Sequence, residues 1–285
     1  MIAKRKPGQE AVEKKGWVDS HKWLLLRRVS QVGILALFLA GPLCGIWIIR
    51  GTLSASEILG FLPMTDPLIM LQSLAAGHPL ASSAVVGVLV VVVMYVLLGG
   101  GVFCAWVCPV NVVTDAAAWL NRVLERKSGI NQGLHLNKNI RYWFIAAILL
   151  LSLGSGTIVY EWLNPVTMLQ RGILFGMGIG WILILAIFVF DAFLLRRGWC
   201  GHLCPMGAMY SLLTSVAVLR VKADGRERCT DCLDCFAVCP EPQVIRPALK
   251  GAPESSPLIL DKNCLNCGRC IDICPHNVFR FSRRT

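Results

Sequence analysis

Twelve of the thirteen cysteines fall into four closely spaced groups. Eight of them belong to two runs with the spacing C-x2-C-x2-C-x3-C-P, at 229–240 and 264–275. This is the spacing of bacterial two-cluster iron–sulfur proteins, in which the fourth cysteine of each run ligates the cluster of the other run. The predicted ligand sets are Cys229, Cys232, Cys235 and Cys274 for cluster 1, and Cys264, Cys267, Cys270 and Cys239 for cluster 2.

A pair of structural zinc sites is the alternative for these eight cysteines. Zinc usually takes two close pairs of ligands in one tetrahedron, which a doubled run of four suits poorly. The stretch between the runs, 241–262, contains four prolines and is predicted to be a loop. Because a domain this small has little hydrophobic core, we expect two [4Fe–4S] clusters to hold it together.

The remaining two groups are C-x3-C-P motifs, formed by Cys104 and Cys108 and by Cys200 and Cys204. Cysteines four residues apart lie on one face of a helix. If the motifs face each other, their four thiols form a third redox or metal site. A redox-active dithiol relay and helix-end packing without any ligand are the two alternatives. His202 lies between the second pair, although a lone histidine is more often structural.

Four long apolar runs precede or separate these motifs, at 29–49, 81–103, 142–163 and 172–195. Each is near the ~20 residues that span the ~30 Å hydrocarbon core of a bilayer. Apolar residues make up 55% of the chain and charged residues only 16%. The sequence therefore predicts a membrane protein with four transmembrane helices.

Lysine and arginine are concentrated before the first run, between the second and third, and after the fourth. By the positive-inside rule, both termini are expected in the cytoplasm, with the protein in the inner membrane of a bacterium. The net charge of +11 is then mostly a topology signal, and nucleic acid is not expected as a partner. The first run is interpreted as an anchor rather than a cleaved signal.

A repeated segment lies before the second and the fourth apolar run. It has the pattern D/N-P-x-x-M-L-Q and occupies Asp66–Gln72 and Asn164–Gln170. The predicted fold is membrane α-helical, with two parallel two-helix repeats followed by a ferredoxin-like domain. The expected boundaries are a basic arm at 1–28, a membrane domain at 29–221 and a ferredoxin-like domain at 222–285. No histidine lies within an apolar run and no C-x-x-C-H occurs, which disfavours haem.

Nearly the whole chain resembles the NapH family of ferredoxin-type membrane proteins from periplasmic nitrate reductase systems. The resemblance is carried by both ferredoxin runs and by Glu13–Trp17, Thr65–Leu68, Trp106–Pro109, Glu161–Pro165 and Gly198–His202. It implies a quinol dehydrogenase component that passes electrons toward periplasmic nitrate reductase. The implied partners are a NapG-like periplasmic ferredoxin-type protein and a membrane tetrahaem cytochrome.

Quinol oxidation also needs a proton acceptor, for which the acidic residues and His78 near the ends of the apolar runs are candidates. The acids are Asp66, Asp115, Glu161 and Asp191. The alternative for each is a capping or interfacial role. A different class of function, a maturation or regulatory factor similar to the NosR and CcoG proteins, shares the same motifs. The expected clusters are cytoplasmic whereas the implied partner is periplasmic, and the sequence does not resolve this.

Overall fold

The computed structural model describes residues 6–128, 136–176, 178–252 and 255–284, and most of them are helical. The α-helices are α1 Gln9–Asp19, α2 Lys22–Cys44, α3 Pro67–Ala75, α4 Ser82–Leu98, α5 Val110–Ser128, α6 Ile140–Ser155, α7 Pro165–Phe175, α8 Gly180–Val189, α9 Pro205–Ser215, α10 Asp234–Val238, α11 Ile245–Lys250 and α12 Arg269–Ile273. The strands are β1 Ile49–Gly51, β2 Ala55–Ile58, β3 Leu62–Thr65, β4 Leu219–Ala223 and β5 Phe279–Arg283.

The chain divides into two compact units. The first, here called the tail unit, combines the chain up to Gln31 with Met94–Val107 and everything from Tyr210 onward. The second, here called the helical unit, consists of Val32–Val93 and Cys108–Met209. The basic arm therefore folds with the cysteine-rich tail, whereas the boundaries at 28 and 221 stay a prediction.

One described helix, α2, is long and apolar enough to cross a bilayer. Its 23 residues extend about 35 Å at the rise of an α-helix. The other apolar helices are shorter, because α6 ends at Ser155 and the predicted run at 172–195 is broken. There α7 ends before Gly176, whose φ of 97° does not continue a helix, and α8 begins at Gly180.

The repeated D/N-P-x-x-M-L-Q segments form two short helices, α3 and α7. In α3, Oδ1 of Asp66 accepts the Leu68 N–H at 2.8 Å, and in α7, Oδ1 of Asn164 accepts the Val166 N–H at 3.1 Å. Proline occupies the first helical position in both, where its missing N–H costs nothing. The first two positions of the motif are thus a helix start signal.

The glutamine that ends each segment bonds to a backbone N–H of the other repeat. In the helical unit, Oε1 of Gln72 accepts the Tyr160 N–H at 3.0 Å and the Ser152 hydroxyl at 3.4 Å. In return, Oε1 of Gln170 accepts the Leu53 N–H at 2.7 Å. Both glutamines are fully buried. The segment therefore joins the two repeats through reciprocal hydrogen bonds.

Replacing either glutamine by alanine should lower the free energy of unfolding. We expect about 1–3 kcal/mol for Gln72→Ala and Gln170→Ala, because each leaves a buried N–H without its acceptor. Gln72→Ala should cost more, since its oxygen accepts two hydrogen bonds. Denaturant unfolding in detergent micelles measures this. The control is Gln9→Ala on the exposed surface, expected within about 0.5 kcal/mol of wild type. Equal stability of Gln9→Ala and Gln72→Ala would contradict the stabilising role of Gln72 as a buried hydrogen-bond acceptor.

The core of the tail unit is built around the antiparallel pair β4–β5. Buried apolar residues of both strands and of α11 pack with the thiols of Cys235, Cys264 and Cys270. The helix α11 lies in the stretch predicted to be a loop, so that prediction is wrong at 245–250. Its proline, Pro247, is near the start of the helix, where the restricted φ is tolerated. The core side chains are Val221, Ala223, Val244, Ile245, Ala248, Leu249, Ile259, Val278 and Phe279.

Candidate functional site

The four cysteines predicted for cluster 1 line one cavity of the tail unit. They share it with apolar side chains such as Phe236, Leu249 and Phe279. Cys229, Cys232 and Cys235 come from the first run, and Cys274 comes from the end of the second. The helix α12 lies between Cys270 and Cys274 and carries the last thiol away from its own run.

A second cavity is lined by the four cysteines predicted for cluster 2. Here α10 carries Cys239 from the first run to the three close cysteines of the second. Asp231 and Asn266 occupy the same position in the two runs, and both have a left-handed backbone, with φ of 57° and 47°. Such turns direct successive N–H groups toward one side, which suits an anionic cluster.

Several of the predicted ligands are buried thiols. Among the described residues, no three histidine, cysteine, aspartate or glutamate side chains converge closely enough to hold one metal ion. Burial raises the pKa of Cys235 and of Cys264 to about 12. These thiols are therefore neutral at pH 7 unless bound metal deprotonates them.

The two C-x3-C-P motifs have the same local structure. Each cysteine spacing is spanned by a short π-helix, at Phe103–Val107 and Trp199–Leu203. Such π-helical segments are frequent at functional sites. The prolines mark the start of the next helices, α5 and α9, rather than only the end of the preceding ones.

The second cysteine of each motif acts as a helix cap. Cys108 Sγ accepts backbone hydrogen bonds from Val110 and Asn111, and Cys204 Sγ accepts one from Gly207 at 3.3 Å. Both thiols are buried in the helical unit and lie within electrostatic range of each other. Burial raises the pKa of Cys108 to about 12. The Tyr160 side chain, also buried, lies beside Cys204.

The first cysteines of the two motifs belong to different units. Cys200 belongs to the helical unit, with Sγ 4.0 Å from the Thr114 hydroxyl. Cys104 belongs to the tail unit. A four-cysteine site therefore stays a prediction. Burial lowers the pKa of His202, which favours a neutral imidazole at pH 7.

The acidic residues considered as proton acceptors have structural partners. Asp66 caps α3, Asp115 pairs with Arg197, and Asp191 accepts the Trp199 N–H at 2.9 Å. Glu161 accepts a hydrogen bond from the side chain of Asn164 at 3.2 Å. The capping alternative thus describes these acids well. His78 is exposed.

Contacts between the arm and the tail are a feature that sequence reasoning missed. The Asp272 carboxylate accepts the N–H groups of Trp23 and Leu24, each at 3.0 Å, at the start of α2. Lys15 Nζ donates to the Ile271 carbonyl at 3.2 Å. Because Ile271 and Asp272 lie between two predicted ligands, the arm packs directly on the cysteine-rich run. From the sequence alone, the basic residues of the arm indicate only the membrane topology.

Comparison with known families agrees with the cysteine spacing. A family described as a 4Fe-4S binding domain matches twice, at residues 80–131 and 177–223, once over each C-x3-C-P motif. A family described as a 4Fe-4S dicluster domain matches residues 228–278, which contain both ferredoxin runs. No solved structure matches the chain.

Curated relatives match the chain over nearly its full length. The "Ferredoxin-type protein NapH" of Escherichia coli (strain K12) is 46% identical over 283 residues, which are 99% of this chain and 96% of the relative. NapH of Haemophilus influenzae is 47% identical over 97% of this chain and 95% of its own length. The "Methylamine utilization ferredoxin-type protein MauN" of Paracoccus denitrificans is 49% identical over 96% and 95%. The resemblance to NapH is confirmed, and the chain belongs to the family of ferredoxin-type proteins that includes NapH and MauN.

Proposed function

We propose that this chain is a membrane electron-transfer protein that carries two [4Fe–4S] clusters in its tail unit. The observation that carries the proposal is the lining of the two cavities. Each contains three cysteines of one run and the fourth cysteine of the other. When bound, the clusters would supply one-electron oxidation and reduction. The protein provides the thiolates and an apolar surround that limits access of water.

The proposed membrane part consists of four spans, as two parallel repeats with both termini in the cytoplasm. The apolar helices support this, because large apolar side chains are exposed along them, such as Trp143 at 76% and Leu150 at 68%. Among the shorter helices, α8 continues directly into the π-helix Phe190–Leu194. Exposed apolar surface of this extent is typical of lipid contact.

The proposed electron donor is quinol, with the protein as a component of a quinol dehydrogenase. Its electrons would pass toward periplasmic nitrate reductase, with a NapG-like ferredoxin-type partner and a membrane tetrahaem cytochrome. The full-length identity to proteins named NapH supports this assignment. A methylamine utilization system is a second candidate, favoured by the 49% identity to MauN. All these relatives are named ferredoxin-type proteins, which supports electron transport over a maturation role.

Reduction by quinol tests the proposal. The purified protein, in detergent or nanodiscs under anaerobic conditions, is mixed with a soluble quinol, and its EPR spectrum is recorded. We expect signals from reduced [4Fe–4S] clusters. Dithionite-reduced protein is the control for cluster content. If dithionite gives the signals and quinol does not, even with the NapG-like partner added, quinol is not the donor. If neither gives them, the cluster assignment itself fails.

The third site is tested by replacing both buried cysteines of the C-x3-C-P motifs. If these motifs hold a third metal or cluster site, as we propose, Cys108→Ser with Cys204→Ser removes its metal, which is iron if the group is a cluster. Iron and acid-labile sulfide analysis measures the loss. The matched control, Cys44→Ser, alters a cysteine that is exposed on α2. An unchanged iron content would contradict a metal site and leave two alternatives, a redox-active dithiol relay and helix-end packing. Thiol labelling before and after reduction distinguishes these two.

A further inference from the structure

Trp106, in the middle of the first C-x3-C-P motif, contacts the ligand loop of cluster 2. Its indole N–H donates to the Asn266 carbonyl at 3.1 Å, and Asn266 directly precedes Cys267. We propose that electrons enter past the Trp106 side chain, reach cluster 2 first and then pass to cluster 1, so that cluster 2 is the proximal cluster and cluster 1 the distal one. This order rests on the proposed function and goes beyond it, since nothing in the cysteine spacing distinguishes the two clusters.

The segment that leads into Trp106 is fixed against the same ligand loop. The side chain of Asn266 is 1% exposed, and its Nδ2 donates to the carbonyls of Leu98 at 3.0 Å and Leu219 at 2.9 Å. Its Oδ1 lies 3.6 Å from Cys264 Sγ. Asn266 thus connects the end of α4 to two cysteines of cluster 2.

The triple glycine 99–101 permits this approach. A Cβ at Gly99 would lie 2.6 Å from Asn266 Nδ2, and a Cβ at Gly101 would lie 2.6 Å from the Cys264 carbonyl oxygen. Real Cβ atoms do not come this close, so larger residues would push the segment away from the ligand loop. Gly99 also has a φ of 94°, which favours glycine. The glycines therefore keep the backbone before Trp106 in contact with the cluster 2 ligands.

Exposure of the ligands distinguishes the two clusters. Three of the four cluster 2 cysteines, Cys264, Cys267 and Cys270, are buried. Within cluster 1, Cys232 is exposed, and the neighbouring Leu233 side chain is 54% exposed. Cluster 1 would thus have an edge at solvent, whereas three of the four cluster 2 ligands are covered by protein.

The electron count is consistent with this order. Oxidation of one quinol to quinone releases two electrons, and its two protons go to bulk water. With both clusters bound, the first electron would reach cluster 1 through cluster 2 and the second would stay on cluster 2, so that one quinol would reduce each cluster once. Because electron-transfer rates fall steeply with distance, removal of cluster 2 should isolate cluster 1 from the donor.

The experiment compares single-cluster variants during quinol reduction, followed by rapid-freeze EPR. In Cys235→Ser, which lacks cluster 1, cluster 2 should be reduced at the wild-type rate. In Cys267→Ser, cluster 1 should be reduced at least about tenfold more slowly, although dithionite still reduces it. Wild-type kinetics of cluster 1 without cluster 2 would overturn the order.

Trp106 is tested in protein that keeps both clusters. Trp106→Phe retains an aromatic ring but loses the hydrogen bond, and Trp106→Leu loses both. We expect Trp106→Leu to slow reduction of both clusters by about tenfold, Trp106→Phe to slow it less, and both to alter the EPR line shape of cluster 2 alone. The control is Trp143→Leu on the exposed surface of α6. Equal rates for control and Trp106→Leu would exclude Trp106 from the path.

A readout independent of quinol separates failure of the order from failure of the proposed function. Dithionite-reduced protein is mixed with a water-soluble dysprosium complex, which accelerates the spin relaxation of clusters near solvent. Cluster 1 should respond more strongly than cluster 2, with the signals assigned from the two cysteine variants. An equal or reversed response would contradict the distal position of cluster 1, whatever the donor is.

Discussion

Cys267→Ser should remove cluster 2 and with it about four iron atoms per chain. Cys267 is buried and lines the second cavity with its three partners. A serine hydroxyl stays protonated at pH 7 and is a much weaker ligand for iron than a thiolate. The loss should extend beyond the metal, because Cys264 and Cys270 are part of the apolar core of the tail unit. Iron and sulfide analysis measures the first effect, and protease resistance of the tail measures the second.

The predicted ligation of each cluster by the fourth cysteine of the other run allows a more specific test. Cys274 lies in the second run but lines the cavity of the first. Cys274→Ser should therefore abolish the same EPR signal as Cys235→Ser, and not the signal lost in Cys270→Ser. The control Cys44→Ser should retain all the iron, because Cys44 lies apart from the four motifs. If Cys274→Ser and Cys270→Ser lost the same signal, each run would hold its own cluster and the crossing would be wrong.

The local structure of the cysteine runs could be predicted because ligand geometry is encoded in short spacing. Three thiols at C-x2-C-x2-C surround one site, and a three-residue step into a helical turn carries the fourth away. The structure has these turns as α10 and α12. The helix starts at Asp66 and Asn164 could also be predicted from the sequence, since an acid or amide before proline is a cap signal. In the sequence, the repetition of this segment was used to predict two repeats, and its capping residues were not recognised.

The span limits could not be predicted from hydropathy alone. The predicted apolar runs end at Leu163 and begin at Gly172, yet α6 ends at Ser155 and α7 extends from Pro165 to Phe175. Helix ends depend on backbone dihedrals and on partners distant in sequence, such as the hydrogen bond from Tyr160 N–H to Gln72. Hydropathy averages over these residues. The same limit applies to Trp106, whose partner Asn266 lies 160 residues away in the chain.

Asp272→Ala should release the start of α2 from the tail. The carboxylate is buried, and its two oxygens accept the N–H groups of Trp23 and Leu24. These are first-turn N–H groups of α2, which have no partner within the helix. Hydrogen bonds to a charged acceptor contribute about 1.5–3 kcal/mol each, so we expect a loss of about 2–4 kcal/mol. Hydrogen exchange at these two amides measures it.

Two matched variants separate this capping role from a general effect of lost charge. Asp272→Asn keeps one side-chain oxygen as an acceptor and should lose about half as much stability. Asp224→Ala removes a surface acid that pairs with Lys222 and Arg280, and should cost much less stability, because solvent screens such pairs. Unchanged exchange at Trp23 and Leu24 in Asp272→Ala would show that another group caps α2.

The position of Asp272 links this cap to the clusters. It lies between Cys270, a predicted ligand of cluster 2, and Cys274, a predicted ligand of cluster 1, so bound clusters would fix both ends of its helix. Loss of either cluster should therefore loosen α12 and expose the Trp23 and Leu24 amides to exchange even when Asp272 is intact. Fast exchange in Cys235→Ser and in Cys267→Ser, with slow exchange in Cys44→Ser, is the expected result. Slow exchange in all three would mean that the arm binds the tail independently of cluster loading.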